Sequence, residues 1–355
     1  MLKKVIIHLS VLFAILYQGC LENNVIPKFD FSSENSTEML VYFETHGDLI
    51  NSLDAPWLIS ASNLNNMTDH YLIIDTRSTE QFRIGHIQKA VNVNCRNLLR
   101  YIQDNDIAKF EKVVIISASG QASAYYTTLL RLAGYQNIYS LEFGMASWNK
   151  DFSEPWVKNC ADSPYLSSFT NISGKKNSPG KLPILDFRNK SGSVPENVSE
   201  RISDLISAGF NDNDSIIPDG QLSGPVLDSR IISENDMSDY YYLICYGSER
   251  LFNLRVGVGS SIGHPKGAVF YAEKYSLSSN KEISTLPASG KPLILYCYNG
   301  QVSASAVAFL RVLGYDAKSL LYGAHSIFYK GLIRGLSEYA YQLNRIDDHP
   351  YVTGN

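Results

Sequence analysis

Cys297 opens the stretch Cys297-Tyr298-Asn299-Gly300-Gln301-Val302-Ser303, which leads from an apolar run, Leu293 to Tyr296, into a segment with helical spacing. A cysteine at the end of a strand, followed by a short polar loop with glycine in its middle, is placed for nucleophile chemistry. The amides of Tyr298 to Ser303 can curl inward as an anion nest, and a helix beginning near Ser303 adds its positive end. Both favour the thiolate over the thiol. Gly300 permits a curl that a Cβ would obstruct, and Ser303 is expected to cap the helix and donate to the sulfur.

The same segment stands 180 positions earlier with serine in place of cysteine: Ser117-Ala118-Ser119-Gly120-Gln121-Ala122-Ser123. Both copies continue alike, through Leu130-Arg131 to Gly134-Tyr135 and through Leu310-Arg311 to Gly314-Tyr315. Repetition on this scale implies two domains built on one plan. No base stands beside Ser117 to activate its hydroxyl, so the first copy is expected to wall a cleft or bind a partner instead of reacting.

These loops need strands beneath them and helices behind them. Continuous apolar runs, Tyr71 to Asp75, Lys112 to Ile116, Asn137 to Leu141, Tyr241 to Cys245 and Leu293 to Tyr296, alternate with helical patterns. That alternation predicts an α/β fold with two parallel sheets, each flanked by helices on both faces. Ligands in such folds sit beyond the carboxyl ends of strands, where Asp75, Ser117 and Gly144 fall. Ser229 to Ser233 parallels the opening strand near Trp57, and Arg250 to Ser260 is extra length near the second site. Asn171 to Lys181 is rich in Gly, Ser, Lys and Pro and is expected to be flexible. Val198 to Gly209 is expected to form a helix docked on the second domain. The boundaries expected are a leader at 1–20, a polar tether at 21–40, a first domain at 41–155, a connector at 156–225 and a second domain at 226–355.

Lys3 and Lys4 precede an apolar stretch from Val5 to Leu16, too short to span a bilayer comfortably. It ends in Tyr17-Gln18-Gly19-Cys20, which resembles the bacterial lipoprotein box, with Tyr17 where leucine is usual. The resemblance implies removal of the signal peptide, lipidation of Cys20 and a place in the bacterial cell envelope, periplasmic or on the outer surface. A net charge of −4 without a basic block argues against a nucleic-acid partner. Cys95, Cys160, Cys245 and Cys297 show neither a CxxC nor a zinc pattern, so no metal and no cofactor is called for. Export would permit a Cys95–Cys160 bridge.

In order, Asp75-x-Arg77, Gly85-His86-Ile87, the strand and loop at Ser117 or Cys297, Gly-Tyr, and Gly144-Met145-Ala146-x-Trp148 resemble the rhodanese-like (sulfurtransferase) domain, twice over. The resemblance implies two tandem domains of that fold. It also implies a persulfide formed on Cys297 from a sulfane-sulfur donor and passed to a thiol or other acceptor. Asp75, Arg77, Ser117, Gly120 and Ser123 would then form a degenerate site in the first domain. Asp75 and Arg77 also read as an internal salt bridge orienting the Gly-His turn. Tyr298 to Val302 holds no Lys or Arg, so a dianion such as thiosulfate should bind weakly, and a less charged donor or a protein-borne persulfide is an equal alternative. Cys245 ends the strand beside the cysteine strand and is a candidate second thiol. Two other functions compete. One is a non-catalytic scaffold displaying a cleft to another envelope protein. The other is a cysteine phosphatase, disfavoured because Ser303 stands where that chemistry needs arginine.

Overall fold

The computed structural model describes residues 35–189, 191–210, 224–255 and 261–354. The leader, Cys20, the tether up to residue 34 and the stretch 256–260 of the extra segment lie outside the described residues.

The first sheet is formed by β1 (Leu58–Ile59), β2 (Leu72–Asp75), β3 (Val91–Asn92), β4 (Val113–Ile116) and β5 (Ile138–Leu141), in the order β1-β5-β4-β2-β3. The second is formed by β6 (Val226–Leu227), β7 (Tyr242–Gly247), β8 (Val269–Ala272), β9 (Leu293–Tyr296) and β10 (Ala317–Leu320), in the order β6-β10-β9-β7-β8. Every pairing is parallel. The central strands β4 and β9 are buried along their whole length. Helices on both faces leave such strands no wet side, which is why they read as unbroken apolar runs. The two five-stranded parallel sheets with flanking helices are the α/β architecture expected from the strand–helix alternation.

The loop helices, Gln121–Leu132 and Gln301–Val312, pack against each other and join the domains. Every residue of the first is buried, since one side covers its own sheet and the other meets its counterpart. Thr128 and Ser305 share a buried hydrogen bond of 2.7 Å across this contact.

Four sequence expectations are corrected. Residues 35–40 belong to a helix, Asn35–Thr45, with Met39 and Leu40 buried, not to a tether. This helix sits on the second domain: the rings of Phe43 and Phe309 lie 5.7 Å apart. The opening strand of the second sheet is Val226–Leu227, and Ser229–Ile231 is a single 3-10 turn. Asp228 makes that turn by accepting a hydrogen bond from the Arg230 N–H at 2.7 Å. The connector helix, Val194–Ala208, docks on both domains: Phe210 N–H donates to Tyr126 at 2.7 Å, and Arg201 donates to the Arg311 carbonyl at 2.6 Å. Its buried stripe of Val198, Ile202, Leu205 and Ile206 covers the seam between the two loop helices. The segment 171–181 lies extended along the second domain, with Gly174 N–H bonded to the Ala268 carbonyl (2.8 Å) and Lys176 paired with Glu282 (2.5 Å).

The chain ends cross over. Residues 35–53 rest on the second domain, where Glu44 accepts from the Ser279 hydroxyl at 2.7 Å and Asn51 donates to the Leu277 carbonyl at 3.1 Å. Residues 348–354 return to the first domain. There His86 and Val352 exchange two main-chain hydrogen bonds of 2.9 Å, and Trp148 donates to the Pro350 carbonyl at 2.9 Å.

Candidate active site

Cys297 follows β9 directly, and its Sγ accepts three hydrogen bonds: from the Gly300 N–H (3.1 Å), the Ser303 N–H (3.2 Å) and the Ser303 hydroxyl (3.4 Å). Gly300, at φ 80°, occupies the helix N-cap in place of Ser303, and this left-handed turn aims its amide back at the sulfur. Ser303 is fixed in turn by Ser319, 2.9 Å away. Asn299 stabilises the curl by accepting from the Gln301 N–H at 3.0 Å, and Val302 packs into the core. Behind Cys297, its carbonyl accepts from Ala324 N–H at 2.8 Å.

The cysteine is fully buried. Burial is the largest influence on its thiol and raises the pKa, while the Ser303 hydroxyl and the Ser303 and Asn299 amides pull it down, and Glu273 pushes it up. The expected preference for thiolate is therefore opposed by desolvation. Tyr298 is also buried; its ring stacks on Tyr339 at 4.1 Å, and its carbonyl meets His325 Nδ1 at 2.7 Å. His325 Nε2 accepts from Tyr341 N–H at 2.8 Å, so the proton is on Nδ1. Burial holds this imidazole neutral, with its pKa lowered to about 4.

The first domain repeats the cradle around a hydroxyl. Ser117 Oγ accepts from Gly120 N–H (3.1 Å) and Ser123 N–H (3.3 Å) and donates to Ser123 Oγ (3.2 Å). Beside it opens a cavity of about 530 Å³ whose lining includes Arg77, Cys95, Ser117, Ser119, Tyr126 and Lys158. The Asp75 carboxylate and the Arg77 guanidinium form a buried pair at 2.6 Å, and Arg77 also donates to the Gly85 carbonyl at 2.7 Å. Arg77 thus anchors the Gly85-His86 turn. His86 and His264 are stacked on Phe82 and Phe252, each at 3.6 Å, with Nδ1 on the carbonyl of the same phenylalanine. Both imidazoles brace turns.

All four described cysteines are free, so no Cys95–Cys160 bridge forms. Cys95 borders the first cleft, whereas Cys160 packs with Trp156 and Tyr341. Cys245 pairs in register with Tyr296, and its fully buried thiol is pushed up by desolvation. Cys245 shares its sheet face with Tyr296, and its thiol also feels the charge of Cys297 nearby.

Sequence reasoning missed Gln121. Its side chain leaves the serine loop and enters the cysteine domain, where Oε1 accepts from Tyr322 N–H at 2.8 Å. Gln301 makes the reverse crossing, accepting from Phe143 N–H at 2.9 Å and donating to the Gly120 carbonyl at 3.2 Å. The signal was the repeat itself, which puts glutamine at both positions.

The Rhodanese-like domain model matches residues 56–151 and 212–327. A thiosulfate sulfurtransferase of Shewanella oneidensis is 30% identical over 94 residues, which are 26% of this chain and 91% of that protein. A tRNA uridine(34) hydroxylase of Onion yellows phytoplasma is 31% identical over 83 residues, 22% of this chain. That match spans about a quarter (27%) of the hydroxylase's length. A thiosulfate sulfurtransferase structure from Pseudomonas aeruginosa aligns over 90% of this chain and 69% of its own, with 14% identity and a TM-score of 0.25. With both matched segments together covering more than half of the sequence, the chain belongs to the rhodanese-like domain family.

Proposed function

We propose that the chain is a sulfurtransferase or sulfane-sulfur carrier that forms a persulfide on Cys297. The observation that carries this reading is the set of three donors converging on Cys297 Sγ at the N-terminus of a 12-residue helix. Such donors stabilise a sulfur anion, whether thiolate or persulfide. The Cys297 thiolate attacks the outer sulfur of a donor such as thiosulfate; the new S–S bond forms as the old one breaks, and sulfite leaves with the electron pair. An acceptor thiolate then attacks the outer sulfur of the persulfide and regenerates the Cys297 thiolate. Because Cys297 is buried, both steps require the loop to open. The donor is a small sulfane compound or a protein persulfide, and the acceptor is a thiol. The segment ending at Cys20 supports a reading in which the protein acts in the bacterial cell envelope, held to a membrane by lipid. Among the described residues no helix is long and apolar enough to cross a membrane.

The second reading is a non-catalytic scaffold, favoured by one specific contrast: the open cleft borders Ser117, while Cys297 is sealed. The experiment that decides is mass spectrometry after exposure to a panel of sulfane-sulfur donors, repeated on Cys297→Ser. One added sulfur on Cys297, absent in the variant and discharged by a thiol, is the expected result. An unmodified but reduced Cys297 with every donor would move the assignment to the scaffold.

A further inference from the structure

We propose that Gln121, a residue of the serine-bearing domain, is a positioning residue for Cys297, so that the sulfur site of the second domain is completed by the first. This inference rests on the persulfide reading above. Gln121 Oε1 holds the Tyr322 N–H at 2.8 Å and Nε2 reaches the Leu320 carbonyl at 3.5 Å. Tyr322 has a left-handed backbone, φ 61°, and begins the turn whose Gly323 lies against both the Cys297 carbonyl and the Gly300 amide. The next residue, Ala324, donates to that carbonyl. Gln121 also lies flush on Gly300: a Cβ there would sit 2.1 Å from Gln121 Nε2. One side chain therefore backs both the residue that donates its amide to Cys297 Sγ and the turn that holds the Cys297 carbonyl.

The contact is reciprocal, but only one side of it reaches the Cys297 cradle from the other domain. Gln301 grips Phe143 and Gly120 in the same way, and its Oε1 also accepts from Asn299 of its own loop at 3.3 Å. Of the two crossings, only that of Gln121 comes from the serine-bearing domain to back the Gly300 amide and the Tyr322 turn. A buried amide with both ends occupied is held in one rotamer, so Gly300 N–H and Ser303 N–H stay aimed at one point. Without Gln121, Gly300 gains room and the donors lose their common focus.

The test uses the full chain and reads Cys297 directly. The rate of Cys297 alkylation by iodoacetamide is followed against pH by mass spectrometry. Gln121→Ala and the length-matched Gln121→Met should each raise the pH midpoint by about one unit, as weakening one charge-assisted donor would. Thr128→Val removes the buried hydrogen bond to Ser305 at the same helix contact and serves as the control for general loosening; its midpoint should match wild type. An unchanged midpoint in both glutamine variants, or an equal shift in Thr128→Val, would overturn the proposal. The readout needs no sulfur donor, so a wild-type protein inert to all donors would defeat the persulfide reading and leave this result separately legible.

Discussion

Ser117 Oγ and Cys297 Sγ occupy equivalent cradles: each accepts from the amide three residues on and the amide six residues on, and each contacts the hydroxyl of the serine six residues on. The first domain thus has an oxygen where the second has a sulfur, and keeps the groups that would hold a sulfur there. Ser117→Cys in a Cys297→Ser background should regain sulfur loading, at least about tenfold above that background, since a sulfur anion at 117 would meet the same donors. Intact-mass measurement with a sulfane donor checks it. No adduct on the introduced thiol, once shown to be reduced, would mean that the donors alone are not enough.

Ser303→Ala removes the hydroxyl at 3.4 Å from Cys297 and leaves Ser319 without its 2.9 Å partner. A hydrogen bond to a charged group is worth about 1.5–3 kcal/mol, so Cys297 alkylation near pH 7 should slow by at least about tenfold. An unaltered rate would show that the two amides carry the site.

Gly300→Ala places a Cβ against Gln121 and asks a non-glycine residue to hold φ 80°. The backbone cost is about 1 kcal/mol, and the collision adds to it. Combining it with Gln121→Ala should recover the collision part and leave the backbone part, which urea melts of both single variants and the double variant can separate. Strict additivity would sink the steric explanation.

His325 supplies a pH dependence with a definite sign. Its pKa is lowered from an ordinary 6.5 to about 4 by burial. The unfolded chain therefore binds a proton at a pH where the folded chain does not, and stability falls as pH drops from about 6.5 to about 4. Above that window the contribution is constant. The loss across it is about 3 kcal/mol, and His325→Gln should flatten that part of the profile. Equal slopes for the two proteins between pH 7 and 4.5 would exclude His325 as the cause.

The C-terminal strap should matter to the distant domain. Deleting residues 348–355 removes the Trp148–Pro350 and His86–Val352 hydrogen bonds, further bonds to Trp148, Asn149, Arg83, Lys150 and Asp151, and the Phe152–Tyr351 ring contact at 4.8 Å. At about 1 kcal/mol for each of the buried bonds the expected cost is at least about 3 kcal/mol, with red-shifted emission from a newly wetted Trp148. A blue or unshifted spectrum would show that the strap is ornamental to that core.

The sheets and loops were legible because their information is local. Apolar runs, punctuating glycines and the 180-residue repeat mark β2, β4, β5, β7, β9 and both cradles almost residue by residue. Val226–Leu227 was misplaced because a two-residue edge strand has no periodicity, and Ile231-Ile232 nearby looks more like one. The burial of Cys297 and the crossings of Gln121 and Gln301 depend on how two domains dock, and docking leaves no mark in spacing. The helix at Asn35 was hidden for the same reason, since its apolar face answers to Phe309 across the molecule.

Repeated domains are usually thought of as cassettes that can be copied, exchanged or lost one at a time. The crossed ends remove that freedom here. An excised first half would lose the strap that covers its Trp148, and an excised second half would lose the helix that shields its Phe309. The serine-bearing half is therefore not a spent duplicate: each half completes the other's core.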